Sequence, residues 1–168
     1  MTDVASPVPA PLAGARSPGI SRAIYGMPMF ATLNAGDLDR TVSWFVDGLG
    51  FVVLFAMPPP PGPTMLVHLR RWQFQDILVR PAAAPVAAGS TCTLNFAAVY
   101  DEVDELAARA RAHGGGAVEG PTDTPWNTRD VTTTDPDGNV VVFTAGRPPD
   151  RTYPEFTGAM LRWNAEQR

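Results

Sequence analysis

The sequence predicts an α+β fold of two tandem strand–helix–strand–strand–strand (βαβββ) modules. Three observations carry the prediction. The chain repeats itself: Asp37 to Gly50 and Asp101 to Gly114 each span 13 positions, and an offset of 64 superposes a strand, a capped helix and a terminal glycine. Both helices have the right period. Leu38, Val42, Phe45 and Leu49 share one face of the first, and Val103, Leu106, Ala107 and Ala110 share one face of the second. The third observation is the last hairpin. Val131 to Thr134 and Val140 to Thr144 are rich in β-branched residues, as paired strands prefer. Between them Asp135-Pro136-Asp137-Gly138-Asn139 forms the turn: Pro presets φ, Asp bonds its own backbone and Gly supplies positive φ.

In chain order, residues 1–21 are rich in Pro, Ala, Gly and Ser and read as a disordered tail, or as a strap over a partner subunit. Met27 to Ala35 reads as the first strand. Asp37 caps the first helix, Gly48 and Gly50 end it, and Phe51 to Phe55 starts the second strand. Met57 to Pro63 holds five prolines and a glycine, a stiff loop that cannot join a sheet. Thr64 to Arg70 and Phe74 to Arg80 read as a hairpin about Arg71-Trp72-Gln73, and Pro81 to Gly89 as a linker. The second module runs from Thr91, through a strand to Val99, a helix from Asp101 to the Gly114-Gly115-Gly116 stop, a short strand at Val118 and Glu119, and the final hairpin. The modules thus span about 27–80 and 91–147 within a domain of 22–147. Residues 148–168 are an extension in which Pro154 opens a helix carrying Phe156, Met160, Leu161 and Trp163. That helix packs on the outside of the sheet, at a dimer interface or over the mouth of a pocket.

Composition bounds the function. A chain of 168 residues with 45% hydrophobic and 18% charged residues suits one domain with a sizeable core. A net charge of -4 argues against nucleic acid, which demands a basic face. It is compatible with a cationic ligand. No apolar run approaches the length of a membrane helix. The single cysteine, Cys92, permits no internal disulfide, so a cytoplasmic location is the default expectation.

The motif Pro125-Trp126-Asn127-Thr128-Arg129, followed by the Asp135–Asn139 turn, resembles the C-terminal hairpin of the vicinal-oxygen-chelate superfamily, which includes glyoxalase I, extradiol dioxygenases and bleomycin resistance proteins. Residues 38–51, Thr93 to Val99 and Asp104-Glu105-Leu106 are similar to the bleomycin-binding branch. The resemblance covers about residues 27–147. It implies the glyoxalase/bleomycin resistance fold, a curved mixed sheet built by the two modules in a domain-swapped homodimer. It also implies metal-ligand positions on the first and last strand of each module. These fall at Phe30, at Leu94, at Val142 and near Gln75 to Val79, and Phe, Leu and Val offer no donor atom. The expectation is therefore neither a metal nor any other cofactor.

Nothing in the sequence assembles a nucleophile with a base or a phosphate-binding loop, so no catalytic residue is assigned. What remains is aromatic. If the metal-ligand positions that the resemblance implies face the cavity, strand alternation puts Phe30, Thr32 and Asn34 there from the first module, and Leu94, Phe96 and Ala98 from the second. The resemblance puts Phe55, Phe96 and Trp126 in the ligand crevice, and Trp72, Gln75 and Arg129 complete the candidate ligand-binding set. Flat rings suit a planar ligand. The expected function is a metal-free protein that sequesters an aromatic natural product or antibiotic of the bleomycin type. The alternative is a metal-independent lyase, isomerase or cyclase acting on a biosynthetic intermediate, with Asp76, Arg80, His68 or Arg129 moving protons.

Overall fold

The computed structural model describes residues 17–23, 27, 29–58, 63–83 and 92–166. Its strands are β1 (Ala31–Ala35), β2 (Val52–Met57), β3 (Leu66–Arg70), β4 (Asp76–Pro81), β5 (Thr93–Ala97), β6 (Ala117–Asp123), β7 (Thr128–Thr134) and β8 (Val140–Gly146). Helix α1 is Leu38–Ser43, continued by a wider π turn over Trp44–Gly48; α2 is Val103–His113 and α3 is Pro154–Glu166. The strands form two four-stranded sheets, ordered β1-β4-β3-β2 and β5-β8-β7-β6. In each, the first strand runs parallel to the last, and the remaining pairs are antiparallel. This is the predicted pair of βαβββ modules.

Local chemistry explains the element boundaries. The Asp37 carboxylate accepts from the Arg40 amide at 3.0 Å, as a helix N-cap should. Helix α2 ends at Gly114, whose φ of +70° is the left-handed cap that glycine adopts without strain. The Asp135 carboxylate accepts from the amides of Asp137 and Asn139, at 2.9 and 2.8 Å, which closes the last turn. Burial pushes the Asp135 pKa up from its ordinary value even though those bonds favour the charged form.

The predicted elements differ from the observed ones mainly at their edges. β1 starts at Ala31 rather than Met27, β6 is longer than expected, and Tyr100–Glu102 forms a 3-10 turn ahead of α2. Most of the proline-rich loop, the second linker and the N-terminal tail lie outside the described residues, as do the side chains of Phe156, Met160 and Leu161 in α3.

One face of each sheet packs into a single shared core, with α1 and α2 between the modules. Leu33, Ile77 and Val79 line it from the first sheet, and Val131, Val141 and Phe143 from the second. A run of rings crosses the junction: Phe45 to Phe51 at 5.4 Å, Phe51 to Phe96 at 5.6 Å and Phe96 to Phe143 at 6.0 Å between centroids. Trp44, fully buried, meets the edge of the His113 ring, and Ser43 Oγ lies 3.0 Å from His113 Nε2. The turn of the last hairpin also reaches across. Asp137 accepts from the Gly36 amide at 2.9 Å and from Thr41 Oγ1 at 2.7 Å. The modules are therefore joined by both apolar packing and a carboxylate clamp.

The glycine run after α2 is where Trp44 needs room. A Cβ on Gly116 would stand 2.1 Å from the Thr134 carbonyl oxygen and 3.0 Å from the Trp44 ring. Gly116→Ala is expected to lower the unfolding free energy by about 2 kcal/mol or more, the scale of overpacking a core. Urea denaturation followed by tryptophan fluorescence checks this, and an unchanged midpoint refutes the tight fit.

Candidate functional site

Packing one face of each sheet inward leaves the other face open. On the first sheet the open row holds Thr32 and Asn34 of β1, Leu78 and Arg80 of β4, His68 and Arg70 of β3, and Phe55 of β2, because the alternate residues Leu33, Ala35, Val67, Leu69, Ile77 and Val79 are in the core. Thr32, Asn34 and Phe55 are exposed, and Asn34 Oδ1 accepts from Arg80 Nε at 2.8 Å. Beside them is a buried polar cluster. Asp76 Oδ1 accepts from Arg70 Nε at 2.7 Å and lies 2.7 Å from His68 Nε2. The edge of one ring meets the face of the other where Phe55 and His68 approach, 5.2 Å between centroids. Arg70 Nη1 donates to the carbonyls of Ser21 and Ala23, so the segment before β1 crosses this face. Within the expected tail, residues 17–21 are described without helix or strand, and the Ser17 amide approaches Glu102.

The second sheet corrects the sequence register. Leu94 and Phe96 pack against the core, where Phe96 is paired with Phe143 as Leu33 is with Val79. Leu33 and Phe96 are 63 positions apart, whereas the helix-opening Asp37 and Asp101 are 64 apart. The second module holds one extra residue between strand and helix: Ala35-Gly36-Asp37 against Ala98-Val99-Tyr100-Asp101. A slip of one residue turns a strand over. Leu94, Phe96 and Ala98 therefore belong to the core row and do not share the open row of Thr32 and Asn34. The open row of β5 is Thr93, Asn95 and Ala97.

The corrected register also tests the metal site. The open-face pairs of first and last strands are Thr32 with Leu78, Asn34 with Arg80, Thr93 with Val140, Asn95 with Val142 and Ala97 with Thr144. Their donors are hydroxyls, amides and a guanidinium, and the one carboxylate on that face of β4, Asp76, is engaged by Arg70 and His68, which is not a set that holds a divalent ion. Among the described residues, no group of three His, Cys, Asp or Glu side chains is placed to share a metal. The residues do not fit the ion.

A cavity of about 580 Å³ opens between the approach to β1, the β3–β4 turn and β5. Phe30, Trp72, Phe74 and Phe96 are its rings, and Gln75, Asp76 and Asn95 are among its polar groups. The turn closes through Arg71 N to Gln75 O and Gln75 N to Trp72 O, both 3.1 Å, and Phe74 sits at φ +65°, which projects it outward and leaves it exposed. The Ala97 carbonyl latches the turn to β5. It accepts from Gln75 Nε2 at 2.9 Å and from Arg71 Nη1 at 2.8 Å. The Arg71 guanidinium lies against the Trp72 ring at 4.4 Å and the Phe143 ring at 5.0 Å. Burial lowers its pKa to about 10, partly opposed by the charge of Glu102, so it stays charged at neutral pH.

The cavity thus gathers Phe30, Trp72, Gln75 and Phe96 of the expected set. Thr32, Asn34 and Phe55 lie on the open sheet face and are not among its lining residues. Trp126 and Arg129 are at neither place. Trp126, 54% exposed, is on the β6–β7 turn, whose Asn127 bonds the backbone of Tyr153. A second hollow of about 540 Å³ there has Asp123, Pro125, Tyr153 and Glu155 as its described lining. Arg129 bridges Asp123 at 2.8 Å and Asp104 at 3.0 Å, and its hydrogen bonds to Asp104 and Asp123 raise its pKa. It ties β7 to β6 and α2. Sequence reasoning missed Phe74, Arg71 and Asn95. The first depends on a positive φ that Phe rarely adopts, and the others on the register.

A family model, that of the glyoxalase/bleomycin resistance protein/dioxygenase superfamily, matches residues 27–143. Among solved structures, TioX from Micromonospora sp. ML1 is 31% identical, with a TM-score of 0.56 over 70% of this chain and 94% of TioX. A glyoxalase/bleomycin resistance protein from Streptomyces sp. CB03234 is 25% identical, with a TM-score of 0.52 over 68% of this chain and 96% of that one. The fosfomycin resistance protein FosX from Mesorhizobium loti, 15% identical with a TM-score of 0.56, covers 77% of this chain and 98% of its own and shares the fold alone. No curated protein matches the chain.

The latch on Ala97 makes a testable structural claim. Gln75→Leu keeps the volume and removes one of the two donors, and is expected to cost about 1–2 kcal/mol of stability. Thermal and urea unfolding measure this, and a variant as stable as the parent removes Gln75 from the latch.

Proposed function

This chain belongs to the glyoxalase/bleomycin resistance protein/dioxygenase superfamily, and we propose that within it the chain is a metal-free binding protein that sequesters a planar aromatic natural product of the antibiotic type. The observation that carries the reading is the cavity walled by Phe30, Trp72, Phe74 and Phe96, with Gln75 and Asn95 to orient a ligand. Rings bury area with little rotamer entropy lost, which favours stacking a flat ligand. The lack of donor side chains at the strand positions that hold metal elsewhere in the superfamily supports binding over metal chemistry. The likeness to a glyoxalase/bleomycin resistance protein from Streptomyces points the same way. Protection by sequestration is stoichiometric and needs a low Kd.

The open face of the first sheet supports a homodimer. Val53, Phe55, Met57 and Met65 are exposed there and on the adjoining loop, a patch that a second copy would cover. The alternative reading, a metal-independent enzyme, is favoured by one observation: Asp76, which lines the cavity, holds His68 at 2.7 Å, an arrangement able to orient a base.

Tryptophan fluorescence titration against glycopeptide, enediyne and polyaromatic antibiotics, with each ligand recovered and weighed, separates the readings. Saturable quenching with unchanged ligand mass is expected; altered mass makes the protein an enzyme. Phe30, which lines the cavity but is 46% exposed, offers a variant that spares the core. Phe30→Ala is expected to weaken binding by more than about 1 kcal/mol, the scale of an aromatic anchor. Trp126→Ala distinguishes the two hollows. A loss there with none at Phe30 moves the site to the β6–β7 turn.

A further inference from the structure

The cavity is bordered by the edge of a strand, not by its face. Every residue from Cys92 to Ala97 lines it, whereas a strand that turned one face to a space would supply only every second residue. β5 ends its sheet, with β8 as its neighbour on one side. In a strand the N–H and C=O of one residue point to one side and those of the next to the other. The Ala98 amide donates to the Thr144 carbonyl of β8 at 2.8 Å, so Ala98, Phe96 and Leu94 bond toward β8. Thr93, Asn95 and Ala97 turn their backbone groups the other way, toward the β3–β4 turn. The Ala97 carbonyl fixes that direction, because Gln75 and Arg71 of the turn reach it. The Thr93 carbonyl accepts a long bond, 3.4 Å, from the Asn95 side chain. Asn95 is exposed, and its backbone N–H and C=O have no partner among the described residues. Proteins cover or charge their sheet edges. Here the latch at Ala97 closes one end of the edge, and the rest borders a hollow walled by rings.

We infer that the ligand of this cavity is peptide-like: an extended chain whose secondary amide pairs with Asn95 as an added strand, and whose aromatic group rests on Phe30, Trp72 and Phe96. This deepens the binding reading above and rests on it. Strand addition draws affinity from main-chain hydrogen bonds and specificity from the pockets beside them. Asn95 offers a donor and an acceptor on one side, the spacing that an opposed residue of an antiparallel strand meets with its own N–H and C=O. A flat ligand without an amide N–H uses the rings alone. It covers the Asn95 carbonyl without bonding it, and the lost water bond counts against it.

The test uses the full-length chain and two probes of one skeleton, 2-naphthoyl-valine methylamide and its analogue methylated on both amide nitrogens, with naphthalene as the ring alone. Affinities are measured by tryptophan fluorescence and calorimetry. The secondary amide is expected to bind roughly tenfold tighter than the methylated analogue, the scale of two hydrogen bonds. Asn95→Pro removes the N–H and suits an edge strand, whose outward N–H takes no part in the ladder; there the preference is expected to vanish. Asn95→Ala loses the side chain, keeps the backbone and is expected to retain the preference. Circular dichroism verifies that each variant is folded. Should Asn95→Pro not fold, hydrogen exchange on the parent decides: the backbone amide of Asn95 is expected to exchange freely in the unliganded chain and about tenfold or more slower with the secondary amide bound. Equal affinities on the parent, a preference that survives Asn95→Pro, or an Asn95 amide already protected before any probe is added, as by a second copy, overturns the strand addition and leaves the cavity standing as a binding site. If neither probe nor naphthalene binds, the cavity reading falls, and the inference with it.

Discussion

The constraint on which the structure depends is that two half-buried sheets share one core. A four-stranded sheet with a single short helix cannot bury its apolar face alone. Here each module completes the other. Phe45 and Phe51 of the first stack edge-on toward Phe96 and Phe143 of the second, and Trp44 fills the space above the glycine run of the second. Asp137 adds a polar tie by bonding the backbone and the side chain at the start of the opposite helix. Once the helices lie between the sheets, the outer sheet faces are left largely open among the described residues, the first being crossed at Arg70 by the segment of Ser21 and Ala23.

Those open faces and the gap between the modules are where ligand chemistry becomes available. β1 and β5 are edge strands, and the β3–β4 turn leans from one module onto the other through the Ala97 carbonyl. That contact makes a ringed hollow and also buries a cation beside it. The two effects have one cause: Arg71 must reach Ala97 to latch the turn, and in doing so it leaves water without pairing with a carboxylate among the described residues. The cost of burying the guanidinium is eased by the faces of Trp72 and Phe143 and by the charge of Glu102.

Much of the fold was legible because its signals are local. Asp37 as a cap, Gly114 as a left-handed stop and the Asp135–Asn139 turn each act through bonds within a few residues. The site was less legible. Phe30, Trp72, Gln75 and Phe96 of the expected set do line one cavity, but Phe96 was placed there through the wrong register. The repeat offset of 64, correct for the helices, was carried into strands where it is 63, and it put Leu94 and Ala98 on the open face. The strand itself carried a signal against this, since Leu94, Phe96 and Ala98 alternate with the polar Thr93 and Asn95 and so form the apolar, inward row, but the repeat offset overrode it.

By itself, then, the sequence determined the element types, the tandem repeat, the family and the poverty of metal donors, since each follows from residue identity and short spacing. Only the tertiary structure decided which strand face is core, that the Pro125–Arg129 motif lies apart from the aromatic cavity, that Arg129 is spent on Asp104 and Asp123, and that Arg71 is buried against Trp72 and Phe143. These are contacts between residues distant in sequence. Their existence depends on how two modules dock, and docking is set by the summed fit of a core rather than by any local pattern.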